Sequence, residues 1–288
     1  MRLLSFTRHG ESSYGAVLDG GIVDLGVRHR RRWPSLSAVL RDDGIEDLRN
    51  DAAAAGPDFP VEEIRFLPPV TDPGRILCVG LNYRSHIEET GRRMPVHPTF
   101  FVRFPDSHVG HGEAMVRPRV SSEYDFEGEL AFVVGRGGRH IPASRALECI
   151  AGYSCYNDGS VRDFQRHTSQ FTPGKNFWHS GAFGPWMVTA DEIADPGGLA
   201  LETRLNGEVM QSAPTSDLLF DIPCLVEYIS QVFPLRAGDV ISTGTTGGVG
   251  RARNPPVFLR PGDRIEVEVS GIGTLSNPVA NEDADAPL

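Results

Sequence analysis

The sequence predicts a β-rich α+β fold in two units, a small leading one over residues 1–70 and a larger one over 71–288. Three observations carry this. Runs of strand length recur along the chain, among them Ile76-Leu77-Cys78-Val79-Gly80, Leu130–Val134 and Val240-Ile241-Ser242-Thr243, and their β-branched and aromatic content suits a pleated, buried surface. Asp19-Gly20 and Asn206-Gly207 sit between such runs, where a two-residue hairpin turn needs residues tolerant of positive φ. The clearest helix is Pro223–Phe233, with Leu225, Ile229 and Val232 on one stripe and proline at a permitted first-turn position.

The leading unit reads in order as follows. Gly15–Leu18 and Gly21–Leu25 are short strands joined at Asp19-Gly20. Ser35 caps a helix that begins at Leu36 and runs toward the Arg41-Asp42-Asp43-Gly44 break. Ala52–Pro57 closes the unit, and Leu67-Pro68-Pro69-Val70 with Asp72-Pro73-Gly74 forms a linker, so that the second unit starts near Arg75.

In the second unit the Ile76–Gly80 strand leads directly into Leu81–Glu89, a helix that places His86 and Glu89, three apart, on one face. Thr90–Pro95 follows as a polar, lid-like segment. Pro98–Phe104 is a strand, Gly110-His111-Gly112 a turn with His108 and His111 in loops, Glu127–Val134 a strand, and Ser144–Ile150 a short helix capped by Ser144. Gly184–Val188, Leu199–Leu205 and Arg264–Val269 continue the sheet, and Asn281–Asp285 is an acidic, disordered tail.

Composition narrows the function classes. With 288 residues, 40% hydrophobic and 23% charged, the chain is of ordinary globular make-up. A net charge of -10 argues against nucleic acid as a partner, and the short basic run Arg28–Arg32 reads as a solvated loop. Cys78, Cys149, Cys155 and Cys224 form no Cys-x-x-Cys pair, which disfavours a zinc knuckle or a thioredoxin-type site. The first residues carry too short an apolar run for a secretory signal and no stretch suits a membrane span. A cytoplasmic enzyme with reduced thiols is the expectation.

The chemistry gathers around Tyr124-Asp125-Phe126-Glu127-Gly128-Glu129-Leu130. On a strand Glu127 and Glu129 point the same way, and two close carboxylates call for a shared proton or a cation. Asp158, in a short polar break after an apolar run, supplies a third oxygen ligand. Three carboxylates without a His or Cys set favour Mg²⁺ or Mn²⁺, with Ca²⁺ a weaker candidate and Zn²⁺ disfavoured. Taken alone, Glu-x-Glu more often marks a solvated edge strand, and a His-x-x-Glu pair more often decorates a surface helix. Lys175, between Gly174 and Asn176, suits a substrate carboxylate or developing oxyanion, and is otherwise a surface lysine. Ser242–Gly250 reads either as a backbone cradle for an anion or as a flexible turn.

The order of these blocks is more specific than any one of them. Asn82-Tyr83-x-x-His86-x-x-Glu89, Asp125-Phe126-Glu127-Gly128-Glu129-Leu130, Asn157-Asp158-x-Ser160-x-Arg162-Asp163-x-Gln165, Gly174-Lys175-Asn176-Phe177 and Thr243-Gly244-Thr245-x-x-Gly248-Val249-Gly250 resemble the fumarylacetoacetate hydrolase family over about residues 75–280. The resemblance implies a mixed β-sandwich roll as catalytic domain, usually in a homodimer, behind a variable N-terminal domain. It implies Glu127, Glu129 and Asp158 as ligands of Mg²⁺ or Mn²⁺ and His86 with Glu89 as the dyad that activates water or moves a proton. Lys175, Tyr83, Arg162, Gln165 and Thr245 would line the substrate site.

The resemblance further implies a hydrolase that cleaves a carbon–carbon bond of an acylpyruvate or 2,4-diketo acid through a metal-stabilised enolate. The alternative is an isomerase or decarboxylase of a hydroxymuconate-type or oxaloacetate-type acid, and a non-catalytic metal-binding protein is the weakest reading. Two departures stand out. Trp178-His179-Ser180 follows the Lys175 motif where Asp-Thr is common, and Arg103 stands near the place of a frequent lysine. Arg84, Arg92 and Arg93 suit a second substrate carboxylate or are solvated surface.

Overall fold

Strand Gly128–Val134 is buried on both faces, and that fixes the layers of the molecule. In the computed structural model, which describes residues 1–283, its side chains alternate between two cores. Leu130, Phe132 and Val134 pack with Leu201, Val267 and Leu275 of a second sheet and with Leu225 and Ile229 of helix Ile222–Val232. Ala131 and Val133 pack on the other side with Leu3, Tyr14, Trp33, Val39 and Leu48 of the leading unit. A strand covered on both sides has few polar positions to spare, which is why Leu130–Val134 reads as a continuous apolar run and Glu129 alone carries a charge.

Among the described residues, twelve strands form one mixed sheet and five form another. The central ladder of the large sheet runs Gly181–Thr189, Ile150–Asn157, Gly128–Val134, Val240–Thr245, Ile76–Gly80 and Thr99–Arg103, with a parallel pair only where Val240–Thr245 meets Ile76–Gly80. The smaller sheet runs Glu208–Pro214, Ala200–Leu205, Arg264–Val269, Gly273–Asn281 and Met115–Arg117. Sheet on sheet with few helices is the expected β-sandwich arrangement. Both hairpins form as two-residue turns, Leu18 opposite Gly21 and Leu205 opposite Glu208, with Asp19 and Asn206 at φ 50° and 52°. Ser35 caps helix Leu36–Arg41, and Asp221 caps Ile222–Val232 by accepting from the Cys224 N–H.

Several expectations are corrected. Strand Arg2–Arg8, which local patterning did not single out, pairs with both Glu11–Leu18 and Gly181–Thr189. Strands of the leading unit therefore join the large sheet, and its side chains share a core with Ala131 and Val133. Helix Ile45–Ala54 ends inside the stretch read as a closing break. The Ser144 region is a 3₁₀ run, Ala143–Cys149, without a side-chain cap, because Pro142 precedes it and its backbone closes three-residue turns. His108 lies in a buried two-residue strand beside Gly181–Thr189.

Arg28 and Arg32 pair with Asp58 and Asp47 on the surface, and Thr172–Lys175 is a helical turn. Asn281 ends the last strand, while Ala284 and Asp285 of the acidic tail lie outside the described residues. No helix among the described residues is long and apolar enough to cross a membrane.

Candidate active site

Backbone pairing brings the three carboxylates together. Gly128 stands opposite Asn157 and Glu129 opposite Tyr156, so Glu127, just ahead of the strand, meets Asp158, just past its neighbour. Glu127 is locked there at both ends of its peptide: its N–H donates to Asn157 Oδ1 at 3.1 Å and its carbonyl accepts from the Asp158 N–H at 2.9 Å. Oxygens of Glu127, Glu129 and Asp158 lie within 4.8 Å of one another, and all three residues are buried. The solvated-edge reading of Glu-x-Glu is thereby set aside.

Burial of so much charge requires partners. Lys175 Nζ donates to Glu127 Oε2 at 2.7 Å and to Asp158 Oδ2 at 2.6 Å. Arg103 Nη1 reaches Asp158 Oδ1 at 2.5 Å, and its other nitrogens donate to Ser107 and Ser180. Arg162 joins Asp125 through Nε at 2.8 Å and Glu127 Oε1 through Nη1 at 2.6 Å. Burial opposes ionisation of Glu127, but Lys175 and Arg162 outweigh it and hold its carboxyl well below the usual range. Glu129 forms no ion pair among the described residues. It accepts from Ser242 Oγ at 2.5 Å and from the Gly244 N–H at 3.0 Å, and burial, then Asp158 and Glu127, push its carboxyl well up.

Four buried carboxylates thus face three buried cations, which leaves one negative charge over. A proton on Glu129 would meet it, and so would a cation held by Glu127, Glu129 and Asp158. All-oxygen donors fit Mg²⁺ or Mn²⁺, and Nη2 of Arg162, which lines the same cavity, is buried without a partner. No His or Cys joins the group among the described residues.

His86 and Glu89 share a face of helix Arg84–Glu89, with His86 Nδ1 and Glu89 Oε2 3.4 Å apart. Ser85 pins the start of that helix by donating to Asp217 Oδ2 at 2.6 Å. The other Glu89 oxygen accepts from the Gly248 N–H at 2.8 Å. Gly248 has φ 98°, and a Cβ there would stand 2.1 Å from the Met210 carbonyl oxygen, so glycine is required. The Ser242–Gly250 loop does cradle anions, but they are the protein's own: Gly244 serves Glu129, Gly248 serves Glu89 and Gly250 serves Asp125.

One cavity of about 650 Å³ is lined by His86, Glu89, Glu127, Glu129, Asp158, Lys175, Arg162, Gln165 and Thr245, which brings together every expected site residue but one. Tyr83 is absent from the lining. It stands at the N-cap position of the dyad helix without a side-chain capping bond, is fully buried, and has its hydroxyl pushed up by burial and the nearby Glu129 charge. Thr245 is committed as well, donating to the Gly128 carbonyl at 2.9 Å and accepting from Gln211 at 2.8 Å. The sequence reading missed Phe101 and Phe171 on the apolar wall and Arg166 and Arg251 at the rim. Only the arginine content of the neighbouring segments hinted at the rim.

Comparison with known proteins agrees with this geometry. Residues 75–280 match the model of the fumarylacetoacetate (FAA) hydrolase C-terminal domain. The chain is 37% identical over 286 residues to the mitochondrial oxaloacetate tautomerase Fahd2a of Rattus norvegicus, covering 97% of this chain and 91% of that one. Its fold is similar to that of fumarylacetoacetate hydrolase from psychrophilic Exiguobacterium antarcticum, with a TM-score of 0.86 at 35% identity over 98% of this chain and 100% of that one. A maleylpyruvate hydrolase from Sphingobium sp. SYK-6, solved with manganese(II) and pyruvate, gives 0.81 at 29% identity over the same shares. With the carboxylate triad, the dyad and the enclosing sheets all in place, the chain belongs to the fumarylacetoacetate hydrolase family.

Proposed function

We propose that the protein is a divalent-metal-dependent tautomerase of 2-oxo acids of the oxaloacetate type, moving a proton between the carbon and oxygen ends of an enol. The observation that supports it most is that one cavity holds the His86–Glu89 pair and the buried triad. The resemblance to an oxaloacetate tautomerase favours proton transfer over bond cleavage. Mg²⁺ or Mn²⁺, held by Glu127, Glu129 and Asp158, would supply Lewis acidity to the 2-oxo oxygen.

The other roles belong to side chains. Glu89, fixed by the Gly248 N–H, keeps the proton on Nδ1 of His86, so Nε2 carries the lone pair and takes the proton from the carbon beside the 2-oxo group. Lys175 adds a fixed positive charge where negative charge develops. The amide nitrogen of Gln165 and Nη2 of Arg162 orient the substrate carboxylate. Hydrolysis of an acylpyruvate or diketo acid is the second reading, favoured by the likeness to the maleylpyruvate hydrolase. There the same base would deprotonate water.

The test follows the loss of enol oxaloacetate by its ultraviolet absorbance on metal-stripped protein with and without Mg²⁺ or Mn²⁺, while pyruvate and carbon dioxide are assayed alongside. Metal-dependent ketonisation without cleavage is expected, lost by roughly 10²–10⁴-fold in His86→Ala. Pyruvate released from a diketo acid, with no gain in ketonisation, would overturn the tautomerase reading in favour of the hydrolase. The same reading includes a homodimer, to be checked by light scattering in solution.

A further inference from the structure

The outer wall of the cavity obeys a different charge rule from the inner one. The exposed Arg92, Arg166 and Arg251 line it, and the buried Arg162 lines the same cavity. The acids lining the same cavity are already engaged: Glu127 and Asp158 by Lys175, Glu129 by Ser242 and Gly244, Glu89 by Gly248. Arg166 holds Glu123 at 2.8 Å. The guanidinium groups of Arg92 and Arg251 have no hydrogen bond or ion pair among the described residues.

An exposed arginine without a partner is ordinary, but two of them beside the paired Arg162 and Arg166 on one cavity are less so in a chain of net charge -10. Arg251 feels the crowding, since burial and then Arg166, Arg162 and Arg92 disfavour its charge. Deeper in, Nη2 of Arg162 is buried and unpartnered. Like charges held around a cavity raise the potential there, and an anion relieves it.

Building on the reading that the inner end binds a 2-oxo acid, we propose that Arg251, with Arg92 and Arg166, receives a second carboxylate at the far end of the substrate, so that the site selects 2-oxo diacids over 2-oxo monoacids. The inner end takes one carboxylate and the 2-oxo oxygen, and the rim reads the charge on what remains. Arg251 is anchored for this. Its N–H donates to Asp125 Oδ2 at 3.0 Å, the oxygen that also holds Arg162 Nε at 2.8 Å, so the rim and inner arginines share one buried post. Arg92 follows the dyad helix, with its N–H on the Ile87 carbonyl at 3.2 Å. A diacid that engages Arg92 therefore also steadies the segment carrying His86.

The test is calorimetric titration of the full-length, Mg²⁺-loaded protein with 2-oxoglutarate and with 2-oxopentanoate, which match in chain length and differ in the distal carboxylate. The wild type is expected to bind the diacid at least about tenfold more tightly, the scale of one charge-assisted hydrogen bond. That ratio should fall toward one in Arg251→Gln, recover in part in Arg251→Lys, and fall less in Arg166→Gln, whose side chain is shared with Glu123. Arg251 is exposed, so its variants should fold, which circular dichroism checks. An unchanged ratio in Arg251→Gln would overturn the rim assignment while both acids, still binding with metal, leave the inner-site reading standing. Failure of both acids to bind the loaded wild type would sink the inner-site reading and the rim assignment with it.

Discussion

The two ends of the cavity use the same chemical groups under opposite rules. At the inner end Arg103, Arg162 and Lys175 are buried and bonded to carboxylates. At the rim the guanidinium groups of Arg92 and Arg251 are exposed and have no charged partner among the described residues, and that of Arg166 pairs with a single half-buried glutamate. Burial turns a charge into a structural commitment, because an unpaired ion out of water costs several kcal/mol. Exposure leaves a charge free for a ligand, since an exposed pair is worth about 0–1 kcal/mol. Inner substitutions should therefore show in stability and rim substitutions in recognition.

Arg103→Leu is the harshest way to break this contrast. The guanidinium is fully buried and its loss leaves Asp158 Oδ1 without a cation. A loss of about 3–5 kcal/mol is expected, seen as a fall of order 10 °C in the thermal midpoint. A drop of only a degree or two would mean that water or a relaxed Lys175 replaces the arginine, and that the inner end is less committed than its geometry implies.

The contrast also explains what could be read in advance. The carboxylates and the His86–Glu89 pair were legible from the order of their motifs; the helix period alone puts His86 and Glu89 on one face, whereas Asp158 reaches Glu127 and Glu129 only through the pairing of Gly128–Val134 with Ile150–Asn157. Both hairpins were legible because Asp-Gly and Asn-Gly carry their backbone preference in two residues. Strand Arg2–Arg8 was not, because its role comes from pairing with residues 187–188, far along the chain. Arg251 was not, because it becomes part of a site only when its loop is drawn to Asp125. Tyr83, expected in the substrate site, is fully buried at the start of helix Arg84–Glu89, and its burial is set by tertiary packing that the sequence does not display.

A milder test lies behind the inner end. His108 is buried against Tyr156, and burial and then Arg103 hold its ring nitrogen well below the usual histidine range. The folded protein thus keeps His108 neutral, while the unfolded chain takes up a proton below about pH 6.5. The unfolded state binds more protons there, so this contribution is complete above about pH 6.5 and is lost as pH falls further, by up to about 1.4 kcal/mol per unit. His111 and His179 are shifted the same way by their own burial, and Glu129, pushed up, gives the opposite slope. Denaturant unfolding of wild type and His108→Gln at pH 7.5, 6.5 and 5.5 isolates the single residue. The wild type should lose more stability than the variant between 6.5 and 5.5, and parallel profiles would show that His108 is already protonated or already exposed.

The smallest effect sharpens the comparison most, because it is predicted to be nearly nothing. Arg251→Gln removes a charge as large as that of Arg103, yet no folded-state bond of its side chain is lost with it. Its neighbours Arg166, Arg162 and Arg92 oppose its charge, so neutralising it relieves repulsion, although solvent screens most of the gain at so exposed a site. Stability should stay within about 0.5 kcal/mol of wild type, with any change on the stabilising side at low salt and absent in 0.5 M sodium chloride. Denaturant melts at the two ionic strengths give the answer directly. A destabilisation of more than about 1 kcal/mol would show that Arg251 holds the fold, and the division between a committed inner end and a free rim would have to be redrawn.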